Sequence, residues 1–238
     1  MNGQWSLKRA FLALLTAILL VLSLYFVPWF TSEVFSPLSD KQGVSPVLPP
    51  DLQAWISSNP AVSLCTDNEF PPIEFTNEQG EYAGIAADFL TLIEQKTGLQ
   101  IVPVQSGSFS QCIDSLKKNQ TDLIGAVFIS DLRDEYLIYT EPYLQPPLVF
   151  LVKKSFDRDL TIDTIREERL KVAVVYGYTS HELLKQHFPD IETITVDNVQ
   201  SGLYLTSVGS ADVFFGDLAT STYYVEKSGI SNLHIAGM

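Results

Sequence analysis

The chain has 238 residues, 46% hydrophobic and 18% charged, with 13 glycines and 13 prolines. That excludes a disordered, collagen-like or coiled-coil polypeptide and leaves one large domain or two small lobes. The net charge is −13, from 15 basic and 28 acidic residues, which argues against a surface that tracks nucleic-acid phosphates. Lys8 and Arg9 are the only charges before residue 32, so the remainder carries −15.

From Ala10 to Phe30 there are 21 consecutive uncharged residues, most of them Leu, Ala, Phe, Ile or Val. As a helix this run is long enough to span a bilayer, with Tyr25 and Trp29 at its far end and Lys8–Arg9 before it. The positive flank places everything after residue 31 outside the cytoplasm. No small-x-small cleavage site follows Leu24, so residues 1–31 read as an uncleaved anchor rather than a cleaved signal peptide. Residues 32–50, with Ser36-Pro37, Ser45-Pro46 and Pro49-Pro50, read as an extended tether. Residues 51–238 form the folded body.

A short helix is expected at Asp51–Ser57. After it, strand-length apolar runs alternate with helical patterns. Val62–Cys65 reads as a strand, and Ile85, Phe89, Leu92 and Ile93 form one apolar helical stripe facing a sheet, stopped by Gly98. Strand Gln100–Val104, a helix carrying Phe109, Cys112, Ile113 and Leu116, and strand Asp122–Val127 follow. Beyond Pro146-Pro147 the order resumes: strand Leu148–Val152, helix Ile162–Glu168, strand Lys171–Val175, helix Ser180–His187, strand Thr193–Val196, helix Val199–Val208, strand Asp212–Phe215, helix Leu218–Lys227. This alternation specifies an α/β fold with largely parallel sheets covered on both faces, in two lobes of about 60–146 and 148–236. Cys65 and Cys112 lack a CxxC partner or a histidine at ligand spacing, so no zinc site is expected. Two buried free thiols are favoured over a disulfide.

Ligands of open α/β sheets bind beyond the carboxyl ends of strands, which points to loops 66–72, 105–110, 126–133, 176–180 and 216–218. In the first, Asp67 can accept from a ligand amine and Phe70 can stack on it, or the loop is a turn with a solvated acid. Phe109 fits either a core or a ligand platform. Arg133 suits bidentate carboxylate recognition, with a surface ion pair to Asp131, Asp134 or Glu135 as the plainer alternative. Gly177-Tyr178-Thr179-Ser180 opens a helix, where an anion is favoured or where Thr179 or Ser180 simply caps. Asp217 can pair with an ammonium or cap the following helix. His181, His187 and His234 are scattered, and GxSxG, HExxH and P-loop patterns are missing.

Together these segments resemble the family 3 solute-binding proteins, two-lobed type II clamps of the periplasmic amino-acid-binding kind. The resemblance rests on Asp67-Asn-Glu-Phe70-Pro71-Pro72 and Gly84-Ile-Ala-Ala-Asp88-Phe89, then on Ser130-Asp-Leu-Arg133 and Thr140-Glu-Pro142-Tyr143. Val172-Ala-Val-Val-Tyr-Gly177-Tyr-Thr179 and Ala211-Asp212-Val-Phe-Phe-Gly-Asp217 extend it. It implies a clamp closing on an amino acid or related small carboxylate. Arg133 and Thr179 would hold the carboxylate and Asp217 the ammonium, with Phe70 and Phe109 flanking the side chain. No metal or cofactor is implied. Ser130 stands in the place of the signature threonine, and Gly125-Ala-Val-Phe128 where many amino-acid binders place hydroxyls. Phe188-Pro189, Asp212 to Tyr223 and Gly229 to Leu233 resemble membrane-bound sensor domains of histidine kinases and diguanylate cyclases. The resemblance also implies a further C-terminal return to the first lobe, so the chain is expected to stop short. A binding subunit of an uptake transporter is the alternative. Dehydratase-like or lytic-transglycosylase-like enzymes share the fold and would need Glu69 or Asp67 as an acid.

Overall fold

The computed structural model describes residues 47–238, so the expected membrane anchor and all but the last few residues of the expected tether lie outside the described residues. Helix α1, Pro50–Ser58, leads into strand β1, Ala61–Asp67. A small antiparallel hairpin follows, β2 at Phe75–Thr76 and β3 at Tyr82–Ala83. Helix α2 runs from Ile85 to Thr97, where Gly98 ends it at φ +75°, a left-handed cap that glycine adopts without strain. Strand β4, Gln100–Gly107, helix α3, Phe109–Lys117, and strand β5, Leu123–Ile124, complete a parallel three-stranded sheet ordered β4-β1-β5.

The chain then crosses to a second sheet through a short 3₁₀ turn at Asp131–Arg133 and an irregular stretch. Here strand β6 is Leu148–Lys153, helix α4 Ile162–Glu167, strand β7 Val172–Val175, helix α5 Thr179–His187 and strand β8 Thr193–Val196. Helix α6, Val199–Val208, strand β9, Val213–Asp217, helix α7, Leu218–Ser228, and strand β10, Leu233–Gly237, follow. The order is β10-β6-β9-β7-β8. Strands β7, β8 and β9 are parallel, whereas β6 runs antiparallel to β9 and β10 antiparallel to β6.

Every residue of β7 and β9 is buried, as expected for central strands covered on both faces. Alternate side chains feed two cores. Phe150, Val152, Val172, Val174 and Phe215 meet Ile165 of α4 and Leu184 of α5 on one side. Val149, Leu151, Ala173, Val175 and Phe214 meet Leu203 of α6 and Tyr224 of α7 on the other. Helix α6 approaches closely because Gly202 faces the Phe214 ring, and a Cβ there would sit 2.5 Å from it. Gly202→Ala should therefore destabilise the protein by about 1–3 kcal/mol, visible as a lower urea midpoint.

Four sequence expectations change. The second sheet is mixed rather than largely parallel, because β6 enters it from the crossover and β10 pairs outside it. The strand expected over Asp122–Val127 shrinks to Leu123–Ile124. Beyond it backbone carbonyls serve side chains instead of a neighbouring strand: Tyr143 Oη donates to Gly125 O (2.9 Å) and Arg133 Nη1 to Phe128 O (3.1 Å). The apolar stripe of α2 is not buried against a sheet. Phe89, Leu92 and Ile93 are exposed, Phe89 lies beside Tyr143 with ring centroids 4.6 Å apart, and Phe89 and Ile93 border an open groove of about 880 Å³. Three narrow strands leave that stripe uncovered. Finally, Cys65 and Cys112 are not free thiols; they form a disulfide joining β1 to α3, Cα–Cα 5.5 Å. Parallel pairing of β1 and β4 brings α3 back across β1, and both sulfurs fall in one fully buried spot.

Candidate functional site

Between the two sheets lies a cavity of about 30 Å³, room for one or two waters. Asp67, Phe70, Phe109, Arg133, Thr179 and Asp217 all line it. Asp67 and Asp217 end strands, Phe109 and Thr179 open helices, Phe70 stands in the turn after β1, and Arg133 ends the 3₁₀ turn. Asp67 closes β1, Phe109 opens α3, and the disulfide at Cys65–Cys112 fixes these two walls within three residues of each. Phe109 is held by its helix start, where the Ser108 amide donates to Gln111 Oε1 (2.9 Å). Thr179 opens α5 and Asp217 ends β9. Ser130 does not line the cavity; its hydroxyl faces Glu182 at 3.4 Å.

Arg133 is the largest fully buried side chain, 1% exposed. It makes none of the surface pairs with Asp131, Asp134 or Glu135 that its own neighbourhood suggests. Its Nη2 lies 2.8 Å from Glu182 Oε2, in the second half of the chain, and donates to Gly177 O (3.2 Å). The guanidinium sits 4.8 Å from the Phe109 ring centroid, and its Nε is buried without a partner. Asp217 caps α7, its Oδ1 accepting from the Thr220 amide at 2.8 Å, and still faces the cavity. The N-cap of α5 is Tyr178, with no side-chain cap, so neither Thr179 nor Ser180 plays that part.

Asp67 is buried and accepts from the Glu69 amide (2.9 Å) and from Tyr178 Oη (3.0 Å). Burial raises its pKa to about 6, against the lowering effect of those two donors. Behind it, fully buried Glu74 accepts from Tyr82 Oη (2.8 Å) and from the Asp67 amide (3.3 Å). Burial pushes Glu74 up to about 8, with the Asp67 charge adding to the rise, so Glu74 keeps its proton at neutral pH. Burial also raises the Asp217 carboxyl. Because the folded forms of Asp67 and Glu74 bind protons more tightly than the unfolded chain, their contribution to stability is greatest in acid. It falls as pH rises from the ordinary carboxylate range to about 6 and about 8. Each bound proton is worth up to about 1.4 kcal/mol per pH unit in those windows. Glu74→Gln should flatten the upper part of this profile, read from urea midpoints at pH 5, 6.5 and 8.

Four residues of the site escape a reading of single loops: Tyr178, Glu182, Glu74 and Tyr224. Glu74 carries a signal in sequence, an acid between Ile73 and Phe75 with no basic neighbour. Tyr178 and Glu182 stand one helical turn apart, so both can project from one face of α5. Tyr224 Oη reaches Glu69 Oε2 at 3.4 Å across the two halves, a contact that only the fold creates. Gly125, in the segment where many amino-acid binders carry hydroxyls, is crowded by side chains: a Cβ would lie 2.2 Å from Tyr82 Oη and 2.7 Å from Glu74 Oε2. Among the described residues, no group of three or more His, Cys, Asp or Glu side chains is arranged to hold a metal.

Two α/β sheets facing each other across an aromatic-walled cavity, with buried Arg133 from the crossover turn and buried Asp217 from the end of β9, have the architecture of a two-lobed solute-binding domain. The model of the bacterial extracellular solute-binding proteins, family 3, matches residues 62–204, and the chain belongs to that family. The virulence sensor protein BvgS of Bordetella pertussis is 26% identical over 184 residues. That alignment covers 77% of this chain but 15% of the relative, so the chain spans a small part of that protein's length. The arginine-binding periplasmic protein of Mannheimia haemolytica is 26% identical over 156 residues, 65% of this chain and 62% of that one. Among solved structures, the BvgS periplasmic VFT2 domain superposes with a TM-score of 0.69 at 24% identity, covering 80% of each chain. The fold is thus the periplasmic-binding-protein-like α/β fold.

Proposed function

We propose that this chain is the extracytoplasmic solute-binding part of a membrane-anchored sensor, and that its solute is an amino acid or related small carboxylate. Residues 1–31 are the anchor, 32–50 the tether, and the two sheets the lobes of the clamp. The observation that carries this is the convergence of Arg133 with Thr179 and Asp217 on one cavity. A guanidinium opposite a carboxylate suits a zwitterion, and Asp67 adds a second acid, which favours a side chain bearing its own cation. Phe70 and Phe109 flank that side chain. The similarity to a sensor protein supports signalling, in which solute shifts the balance between open and closed clamps through its higher affinity for one of them.

Among the described residues no helix is long and apolar enough to cross a membrane, so the anchor rests on the residue 10–30 run. The binding component of an uptake transporter is the second reading, favoured by the similarity to an arginine-binding periplasmic protein. In either case the chain binds and does not catalyse, with no metal or cofactor. A thermal-shift screen of the full chain against L-arginine, the other amino acids, agmatine and dicarboxylates tests the reading. The expected result is a rise of several degrees for a small set of amino acids. Failure of every compound at millimolar concentration overturns it. Mass spectrometry of the mature N-terminus separates anchor from cleaved leader.

A further inference from the structure

The recognition points of the cavity are already taken by the chain's own side chains. The Tyr178 ring lies between Phe70 and Phe109, edge-on to both, with centroids 6.0 Å and 5.5 Å away. Its hydroxyl donates to Asp67 Oδ2. One turn further along α5, the Glu182 carboxylate sits 2.8 Å from Arg133. A phenol thus occupies the aromatic slot, and a carboxylate occupies the guanidinium. Both reach from the second sheet into the first, and both leave from one helical turn, closed by the Glu182 amide donating to Tyr178 O (3.0 Å). Gly177, at φ +78°, turns the chain into that helix and lends its carbonyl to Arg133. The space that remains, about 30 Å³, is too small for any amino acid.

We propose that Tyr178 and Glu182 are resident occupants of the solute site, which latch the two halves closed when solute is absent and compete with it for Phe70, Phe109, Asp67 and Arg133. This rests on reading the cavity as the solute site. An entering carboxylate has to displace Glu182 from Arg133, and an entering side chain has to displace the Tyr178 ring. Glu182 is 24% exposed against 1% for Arg133, so it can swing outward into water while the arginine stays fixed. The apparent affinity of any solute is then its intrinsic affinity reduced by the fraction of molecules in which the latch is open. Tyr178 and Glu182 set that fraction and with it the working range of the domain.

Hydrogen exchange of the full chain, read peptide by peptide without solute, tests the latch. In the double variant Tyr178→Ala/Glu182→Gln, amides in 67–74 and 128–137 should exchange on the order of tenfold faster than in the parent chain. Strands β7 and β9 should keep their protection, showing that the second sheet stays folded. The tyrosine-sized hole of Tyr178→Ala gives a second readout: 4-methylphenol at millimolar concentration should slow exchange in 67–74 again, and should do nothing to the parent chain. Unchanged exchange in 67–74 and 128–137, with β7 and β9 protected, overturns the proposal. So does the failure of 4-methylphenol to slow exchange in 67–74 of a folded Tyr178→Ala chain. Should the double variant lose protection throughout, Tyr178→Phe decides, since it keeps the ring and drops only the donor to Asp67. Faster exchange in 67–74 supports the latch and unchanged exchange overturns it. Because no solute enters the exchange experiment, failure of the latch is read separately from failure of the thermal-shift screen.

Discussion

Arg133→Ala is expected to abolish solute-dependent stabilisation and to lower the intrinsic stability of the domain by about 3 kcal/mol. The substitution removes the guanidinium that the proposed carboxylate would need. It also removes the arginine donor of the Phe128 and Gly177 carbonyls and the cation that pairs with Glu182, which then keeps only the long contact from the Ser130 hydroxyl. Breaking a buried ion pair from one side generally costs about 3–5 kcal/mol; partly exposed Glu182 can rehydrate, which places this case at the lower end. Arg133→Lys retains the charge but not the planar fork, in which Nη1 serves Phe128 O while Nη2 serves Gly177 O and Glu182. It should fold better than the alanine variant and bind as poorly. Urea denaturation gives the stability change, and thermal shifts with the screened amino acids give the binding change. Solute-dependent shifts that survive in Arg133→Ala would remove this residue from the site.

Loss of the disulfide should be comparably large. Cys65 and Cys112 close a loop with a sequence separation of 47, for which the chain-entropy account gives about 4 kcal/mol. Cys65→Ser/Cys112→Ser, or reduction of the parent protein, should therefore lower the free energy of unfolding by about that amount. The effect should reach the cavity as well. Asp67 stands two residues beyond one cysteine and Phe109 three before the other, so releasing the bridge frees α3 to move against β1. Exchange measured over residues 107–117 and 64–70 reports this directly. A reduced protein with an unchanged urea midpoint would show that packing alone holds α3 in place.

Much of the architecture was legible because periodicity and burial agree wherever a strand is central or a helix is amphipathic. Thr193–Val196 and Val199–Val208 coincide with the elements read from the chain. The fully buried strands β7 and β9 announce themselves as runs of Val, Ala and Phe. Legibility fails where the partner of a residue is remote. Cys65 and Cys112 look like two small apolar side chains until β1 and β4 pair in parallel and turn α3 back over β1. The α2 stripe has the spacing of a buried face, yet spacing cannot say that nothing broad enough lies opposite. Arg133 stands among Asp131, Asp134 and Glu135 in sequence, and its backbone turn aims it away from all three, toward Glu182. The same limit applies to Tyr178. A residue flanked by Gly177 and Thr179 reads as part of a helix start, and only the approach of the two sheets puts its ring between Phe70 and Phe109.

The crowding at Gly125 bears on how the specificity of this clamp can be altered. A side chain grafted there as Gly125→Ser would press on Tyr82 Oη and Glu74 Oε2, so it is accommodated only if that hydrogen-bonded pair moves apart or is itself changed. Residues 74, 82 and 125 are thus coupled, and substitutions among them should not be additive. A redesign toward a hydroxyl-lined pocket has to treat the three together, because a few tenths of a nanometre of space are shared between them.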